Sequence, residues 1–413
     1  MKKVLIIEDD QIVSNIYRNR LQVEGFLVEV AHTGEIGLDL IGSFQPDVVI
    51  LDLVLPKISG VELMRKVRAE PRFDSLPLIV FSNTYLTNLV QEAWKAGATK
   101  CLSKASCSPR QVIEAVRSAL DLNGQLPSPS RPVAPEPRVP FVVSPDPVTE
   151  ADLQFQTDVR FAFVITLPDT LAALRAAIKS LAKADADAAR AGYVQVLYHR
   201  MHALAGNANL AGLAIISQLA EALEALLKEL HERPAIINAS TLRTVATAVD
   251  FMGILFDHAA TPAGRQAPAL SQILVVDDEA LSRRAITHAL ERAKLKSTSV
   301  EDPNIALNLL VEGDFDLIFL DVDMPGMNGF ELCTKIRALP RYKTTPVIFV
   351  TSLNDFENRT SSMMSGGNDF IAKPFHFLEL AVKALVYVLR TKYPVRKKSL
   401  TDARPFDFPS DRS

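Results

Sequence analysis

Two sets of acidic, hydroxyl and lysine side chains recur along the chain at one constant offset. The first set comprises Glu8, Asp9, Asp52, Ser82 and Lys104. The second set comprises Asp277, Asp278, Asp321, Thr351 and Lys373. Phosphoryl transfer to a carboxylate needs a nucleophile, a divalent cation and donors to the phosphoryl oxygens. Both sets supply these groups, and Gly60 and Gly329 are related by the same offset.

In the second set, Asp321 is the predicted nucleophile, and with Asp277 and Asp278 it forms a group of three carboxylates. Such hard oxygen ligands suit Mg²⁺. Lys373 supplies a point charge for the phosphoryl oxygens, and Thr351 supplies a hydroxyl donor. The alternative is a group of acids that end strands and merely face solvent. It is disfavoured because all five side chains occur together.

In the first set, Asp52 is the predicted nucleophile, and Glu8 and Asp9 replace the acid pair. Ser82 supplies the hydroxyl and Lys104 the positive charge. Because these exchanges keep the charges, we expect Asp52 to be phosphorylated as well. The sequence therefore predicts one Mg²⁺ for each set. The alternative for the first set is a domain that binds partners without responding to phosphate.

The segments that carry these residues alternate short apolar runs with amphipathic stretches. Runs such as VVIL and IFLD are typical of central parallel strands that are covered on both faces. The alternation predicts a five-stranded parallel sheet of the doubly wound α/β class at 1–121 and again at 271–392. Functional groups of such sheets lie beyond the carboxyl ends of the strands, where both sets fall.

Between the two repeats the composition changes twice. Residues 122–150 are rich in proline, which predicts an extended linker. Residues 151–261 are rich in alanine and leucine, which predicts an all-α four-helix bundle. Its helices are predicted at Leu167–Ala184, Ala186–Ala208, Leu213–Glu232 and Ser240–His258. A short linker at 262–270 and a polar tail at 393–413 complete the predicted organisation.

The motifs IIEDD, ILDLVLP and CLSK of the first repeat, and VVDDE, FLDVDMP and IAKP of the second, resemble the receiver domain of two-component response regulators. The resemblance implies a flavodoxin-like fold and two further metal ligands, the backbone carbonyls of Val54 and Asp323. It also implies an aromatic switch residue at Phe370 and a cis bond between the site lysine and a following proline. The first repeat departs from this pattern, with Cys101 in place of the ring and Ala105 in place of the proline.

The segment LYHRMHALAGNANLAGL resembles the histidine phosphotransfer domain around its histidine. The resemblance assigns the phosphate carrier to His202, on a helix surface that Gly206 leaves open to a receiver, and the imidazole is expected to be exposed. Ala205 departs from the family, which usually has lysine there. His199, one turn earlier, is expected to be a distractor or a partner of His202 and not the carrier. The alternative is a helical spacer with a half-buried histidine.

Bulk composition excludes several classes of function. The net charge is −3 and three cysteines occur in 413 residues, so we expect a cytoplasmic protein whose partners are neither nucleic acid nor membrane. No stretch is expected to be apolar and uncharged for long enough to cross a bilayer. A kinase ATP site is not expected either, because nucleotide-binding motifs are missing from the sequence. The receivers are expected to catalyse only their own phosphorylation and dephosphorylation, so the protein is not expected to be an enzyme.

The leading hypothesis is a phosphorelay intermediate with a receiver, phosphotransfer, receiver order and no output domain of its own. Its expected partners are a histidine kinase or other phosphorelay proteins. A dimer of the chain through its receivers is also allowed. The alternative is a scaffold that docks kinases or regulators independently of phosphate. A DNA-binding regulator is disfavoured because the predicted domains leave no residues for such a domain.

Overall fold

The computed structural model describes residues 1–82, 87–104, 107–122, 150–184, 186–259, 271–351 and 365–393. Ala105, most of both predicted linkers and the tail from 394 onward lie outside these ranges. Contacts divide the chain into two units, Met1–Pro234 and Ala235–Ser413.

The first unit contains a five-stranded parallel sheet in the order β2-β1-β3-β4-β5. Its strands are β1 (Lys3–Ile7), β2 (Leu27–Ala31), β3 (Val48–Leu51), β4 (Leu78–Ser82) and β5 (Lys100–Ser103). Its helices are α1 (Gln11–Val23), α2 (Gly34–Phe44), α3 (Gly60–Arg68), α4 (Thr87–Lys95) and α5 (Pro109–Leu122). β3 and β4 are buried along their whole length because helices cover both faces of the sheet. The predicted parallel α/β fold is confirmed.

Three further helices belong to the first unit: α6 (Glu150–Lys183), α7 (Asp187–Leu210) and α8 (Ala214–Glu232). α7 packs against both α6 and α8, and α6 also contacts α1 and α5. The predicted start of the first of these helices at Leu167 is wrong. Val159 and Phe163 are buried in register with Leu167 and Leu171, so one apolar stripe continues through Pro168.

The second unit contains a second five-stranded parallel sheet, in the order β10-β9-β8-β6-β7. Its strands are β6 (Gln272–Val276), β7 (Lys296–Val300), β8 (Leu317–Asp321), β9 (Val347–Thr351) and β10 (Asp369–Ala372). Its helices are α9 (Ala239–Ala259), α10 (Ala280–Arg292), α11 (Pro303–Glu312), α12 (Gly329–Ala338) and α13 (Phe377–Lys392). The strand order matches that of the first sheet, as the repeat predicts.

The helix α9 packs against α13 within the second unit. The hydroxyls of Ser240 and Thr244 both donate to the buried carboxylate of Glu379. A helical region therefore separates the two sheets in sequence, with α6, α7 and α8 in one unit and α9 in the other. The grouping of all four helices in a single phosphotransfer bundle stays a prediction.

Two helical segments, Thr157–Lys183 and Ala239–His258, are long and apolar enough to span a membrane by length and composition. Both segments contain charged residues, among them Asp169 and Asp250, so neither is the uncharged stretch that the sequence was expected to lack. Core helices of soluble proteins pass the same test, and two helices of this kind do not indicate a membrane protein.

Candidate phosphoryl-transfer sites

The first predicted set of residues assembles at one edge of the first sheet. Glu8 and Asp9 follow β1, Asp52 follows β3 and Lys104 follows β5, while Ser82 ends β4. The strand order reverses between β1 and β3, and ligands of open α/β sheets bind at such a reversal. The parallel strands thus bring together side chains that lie far apart in sequence.

Lys104 is buried between two carboxylates of this site. Its Nζ lies 2.5 Å from Oδ2 of Asp52 and 2.8 Å from Oε2 of Glu8. Burial lowers the pKa of Lys104, but Asp52 and Glu8 outweigh burial and raise that pKa above its ordinary value. Burial raises the pKa of Glu8 well above its ordinary value, against the effect of Lys104. Burial also acts to raise the pKa of Asp52, but Lys104 and His202 hold it below its ordinary value. These surroundings thus favour the ionised form of Asp52, whereas burial disfavours the ionised form of Glu8.

Gly60 begins α3 directly against the backbone of Asp52. A Cβ at this position would lie 2.2 Å from the carbonyl oxygen of Asp52, and a Cβ on Gly329 would lie 2.1 Å from that of Asp321. Real Cβ atoms do not approach so closely, so only glycine lets the helix begin here. The two matched glycines of the repeat therefore allow the close approach of each helix to the backbone of Asp52 or Asp321, the predicted nucleophiles.

The donor set of the first site fits a magnesium ion. One oxygen each from Glu8, Asp9 and Asp52 lie within 4.8 Å of one another. Burial, and then the charge of Asp52, raises the pKa of Asp9 to about 6. Among the described residues, Asp9 Oδ1 and Ser82 Oγ are buried without hydrogen-bond partners. A bound cation would relieve this crowding of carboxylates, and a phosphoryl group would satisfy the hydroxyl. Val54, whose carbonyl is an expected ligand, is also buried here.

The second site repeats this arrangement beside β6, β8 and β10. Lys373 Nζ lies 2.9 Å from Oδ2 of Asp277 and 3.1 Å from Oδ2 of Asp321. One oxygen each from Asp277, Asp278 and Asp321 again lie within 4.8 Å of one another. Thr351 is buried at the end of β9.

Two details of the second site bear on the resemblance. The peptide bond between Lys373 and Pro374 is cis, as the resemblance implies. Asp323, whose carbonyl is an expected metal ligand, follows Asp321 by two residues and is exposed. The structure thus brings together the acids, the lysine and the threonine that the sequence predicts for this site.

His202 of α7 lies in the first site, which the sequence did not predict. Its Nε2 lies 3.3 Å from Oδ2 of Asp52, and its Nδ1 lies 2.7 Å from Oε1 of Glu224 on α8. The expectation of an exposed imidazole is wrong: His202 is 2% exposed, because the receiver lies against this surface of the helix. Burial lowers the pKa of His202, but Glu224 and Asp52 outweigh burial and raise that pKa to about 10.

Two further residues at this contact were not predicted as functional. Glu224 of α8 contacts the imidazole of His202. Asn207 donates to Asp10, the residue that caps α1. A local motif predicts neither contact, since both join segments that are distant in sequence. His199 is half-buried, and burial lowers its pKa.

The two positions of the expected switch residue differ in chemistry but not in placement. Cys101 in β5 packs against the core of the first sheet, and Phe370 in β10 packs against that of the second. Both side chains are half-buried. Burial raises the pKa of the Cys101 thiol to about 12, so this side chain stays neutral. A small neutral thiol thus occupies the position that holds a ring in the second repeat.

The fold and the acid–lysine sites together define a receiver. The response regulator receiver domain matches residues 4–117 and 273–384, which is more than half of the chain. The chain therefore belongs to the response regulator receiver family. Membership of this family indicates two-component phosphorelay signalling.

Individual relatives match one receiver's length. The transcriptional regulatory protein ResD of Bacillus subtilis is 38% identical over 131 residues, which cover 32% of this chain and 50% of ResD. SrrA of Staphylococcus aureus, also a transcriptional regulatory protein, is 32% identical over 134 residues, which cover 32% of this chain and 54% of SrrA. The chain thus spans about half the length of the regulators it matches. The chemotaxis response regulator CheY4 of Vibrio cholerae is 31% identical, with 29% of this chain and 99% of that chain covered and a TM-score of 0.28.

Proposed function

We propose that this chain is a phosphorelay intermediate in which His202 and Asp52 exchange a phosphoryl group within one molecule. The observation that carries the proposal is the distance of 3.3 Å between His202 Nε2 and Asp52 Oδ2. Both side chains are shielded from water there. Receivers accept phosphoryl groups on aspartate, so a histidine held against that aspartate is matched to a donor or acceptor role.

Glu224 prepares the imidazole for this chemistry. In the structure each ring nitrogen faces a carboxylate, and the raised pKa of His202 favours the protonated imidazole. Glu224 accepts a hydrogen bond from Nδ1–H, so the proton that the ring gives up before it reacts is the one on Nε2, and the lone pair is then on that nitrogen. Nε2 is the nitrogen that faces Asp52. The ring is therefore oriented with its nucleophilic atom toward the carboxylate.

The transfer step follows from these contacts. From phosphorylated His202, the N–P bond breaks and its electron pair stays on Nε2, while an oxygen of Asp52 forms the new O–P bond. Nε2 then takes up a proton, and the cation is stabilised by Glu224. Lys104, 2.5 Å from the same aspartate, balances charge on the phosphoryl oxygens. Magnesium, when bound by Glu8, Asp9 and Asp52, would neutralise further phosphoryl charge.

The remaining parts of the proposal concern partners. A histidine kinase or another phosphotransfer protein would supply a phosphoryl group to Asp321. The lysine beside this aspartate, Lys373, is more exposed than Lys104 of the first site. A magnesium ion in each receiver, a cytoplasmic location and the absence of a separate substrate belong to the same proposal.

A scaffold is the second candidate function, and one observation favours it. The protonated imidazole, Asp52 and Lys104 form a compact set of opposite charges, which could hold the helices on the receiver without any transfer. The two candidate functions differ in whether a phosphoryl group on His202 is transferred to Asp52.

The deciding experiment uses the full chain carrying Asp321→Asn, so that one receiver remains competent. Potassium phosphoramidate labels the histidine in the fraction of molecules whose helices leave the receiver. The excess donor is then removed, so that it cannot label Asp52 directly, and the remaining label is followed by its stability in acid and base. We expect base-stable phosphohistidine to convert to base-labile acyl phosphate, at a rate independent of protein concentration. The same chain with Asp52→Asn should retain the base-stable label. Equal decay in the two chains would reject transfer and favour the scaffold.

A further inference from the structure

Asn207 is a buried amide whose partner lies in the receiver rather than among the neighbouring helices. It follows His202 by five residues on α7 and is 5% exposed. Its amino group donates to Oδ2 of Asp10. Its carbonyl oxygen has no hydrogen-bond partner within the described part of the chain. Because a carboxylate only accepts, Asp10 also fixes which way the amide points. Among the described residues, the side chain of Asn207 therefore makes its hydrogen bond to the receiver and not to α6 or α8.

Asp10 is a rigid acceptor because the receiver's own backbone holds it. Its Oδ1 accepts from the N–H of Ile12 at 2.7 Å and from the N–H of Val13 at 3.1 Å. An anion at this position is also favoured by the dipole of α1. Hydrogen bonds to an ionised acceptor are stronger than neutral ones. The contact thus joins α7 to a fixed point one residue after Asp9, an expected ligand of the cation.

The geometry of the helix gives this contact a directional role. With 3.6 residues per turn, the directions of His202 and Asn207 on α7 differ by less than half a turn. Ala203 and Gly206 fall between these two directions. Two polar contacts with small residues between them let the receiver approach closely. α7 also packs against α6 and α8, and the two polar contacts set the direction in which this packed helix faces the receiver.

We propose that Asn207 is a positioning residue whose bond to Asp10 fixes the rotation of α7 and so aims Nε2 of His202 at Asp52. This inference rests on the proposed function, since the aim matters only if His202 reacts. Asn207 touches neither reacting atom. Its loss leaves the nucleophile and the imidazole chemically intact but misaligned, and a displacement of about 1 Å can slow a reaction about a hundredfold.

The test exchanges donor and acceptor across the contact in the full chain carrying Asp321→Asn. Asn207→Asp places two carboxylates together, and adding Asp10→Asn restores a donor–acceptor pair with its polarity reversed. Asparagine caps a helix as well as aspartate does, so α1 keeps its cap. Asn209→Asp is the matched control, because it introduces the same charge two residues along the same helix.

Two readouts are measured for each chain: hydrogen exchange of residues 8–17 and 199–210, and the rate of conversion of phosphohistidine to acyl phosphate. We expect Asn207→Asp to raise exchange in both segments and to slow conversion by about tenfold or more. The double exchange should restore both values, and Asn209→Asp should match the parent chain.

Two results would overturn the inference. One is unchanged exchange and conversion in Asn207→Asp. The other is a defect that Asp10→Asn does not repair, because a merely structural amide would behave in that way. Absence of conversion in the parent chain would instead reject the proposed function, and the exchange data would still decide whether Asn207 and Asp10 hold α7 on the receiver.

Discussion

The imidazole of His202 lies 3.3 Å from the carboxylate of Asp52, although the two residues are 150 positions apart in sequence. Glu224 holds the opposite nitrogen of the same ring. His199, one turn earlier on the helix, has no such partner for its buried Nδ1 among the described residues. The surroundings of His202 and His199 therefore distinguish the two histidines.

We therefore expect phosphate on His202 and none on His199. His202→Gln should reduce the base-stable label of the full chain to background after treatment with phosphoramidate, because the nitrogen facing Asp52 is lost. His199→Gln should retain it. Mass spectrometry of peptides that contain α7 makes the assignment. Label that persists in His202→Gln and disappears in His199→Gln would reverse it.

Asp321→Ala should abolish the acyl phosphate of the second receiver, because Asp321 is the carboxylate that Lys373 contacts at the end of β8. Asp314→Ala is the control, since this acid is exposed and remote from that strand end. Both chains are incubated with acetyl phosphate and magnesium, and acyl phosphate is counted in peptides from residues 271–392. Full labelling of this region in Asp321→Ala would contradict the assignment.

A small phosphodonor should label the two receivers unequally in the full chain. In the first site, the side chain of Asp52 is 0% exposed, because His202 covers it, and that of Lys104 is 3% exposed. In the second site, the side chain of Lys373 is 17% exposed. Acetyl phosphate reaches Asp52 only in the fraction of molecules whose helices have left the receiver, so its labelling should be about tenfold slower than that of Asp321. Quantitative mass spectrometry over time measures both rates. Equal rates would show that His202 does not shield Asp52.

Phosphorylation should change the second receiver more than the first. Phe370 carries a ring that can move between packing positions, whereas the Cys101 thiol is too small to do so. Beryllofluoride with magnesium mimics the phosphoryl group, and hydrogen exchange reports the response. We expect larger protection changes in Val347–Thr351 and Asp369–Ala372 than in Leu78–Ser82 and Lys100–Ser103. Equal or larger changes in the first receiver would contradict this prediction.

Gly60→Ala should destabilise the first receiver by about 1–3 kcal/mol, because the added methyl group has no space beside the Asp52 carbonyl. It should also lower labelling of Asp52. Gly42→Ala is the matched control within α2, where a Cβ meets nothing within 4 Å. This change should stabilise the chain by about 0.5–1 kcal/mol, since alanine is favoured over glycine in helices. Denaturant unfolding of both variants measures the difference, and equal losses would contradict the steric argument.

The repeated segments made much of the fold predictable. Strand alternation and buried apolar runs are local properties, so the predicted strand VVIL coincides with Val48–Leu51. The acids and lysines of each receiver were predictable because parallel strands bring their carboxyl ends to one edge. The predicted start of α6 at Leu167 was too late, because the apolar stripe of this helix extends on both sides of Pro168.

The docking of α7 on the first receiver was not predictable from the sequence. Asn207 and Asp10 lie in segments whose local patterns are those of an ordinary helix and an ordinary helix cap. Their contact depends on the shape of two folded surfaces, and a single sequence does not encode that shape in any short motif. The burial of His202 follows from the same contact, which is why an exposed imidazole was expected.

His202 and the receiver that it faces belong to one polypeptide chain, and this connection has a consequence for signalling fidelity. Under the proposed function, a phosphohistidine at position 202 would meet Asp52 at an effective concentration set by the connecting chain, not by the abundance of either domain. A foreign receiver would compete only by first displacing the resident one. In a cell with many similar receivers, this chain would therefore be insulated from cross-talk by its connectivity, without needing an unusually selective interface.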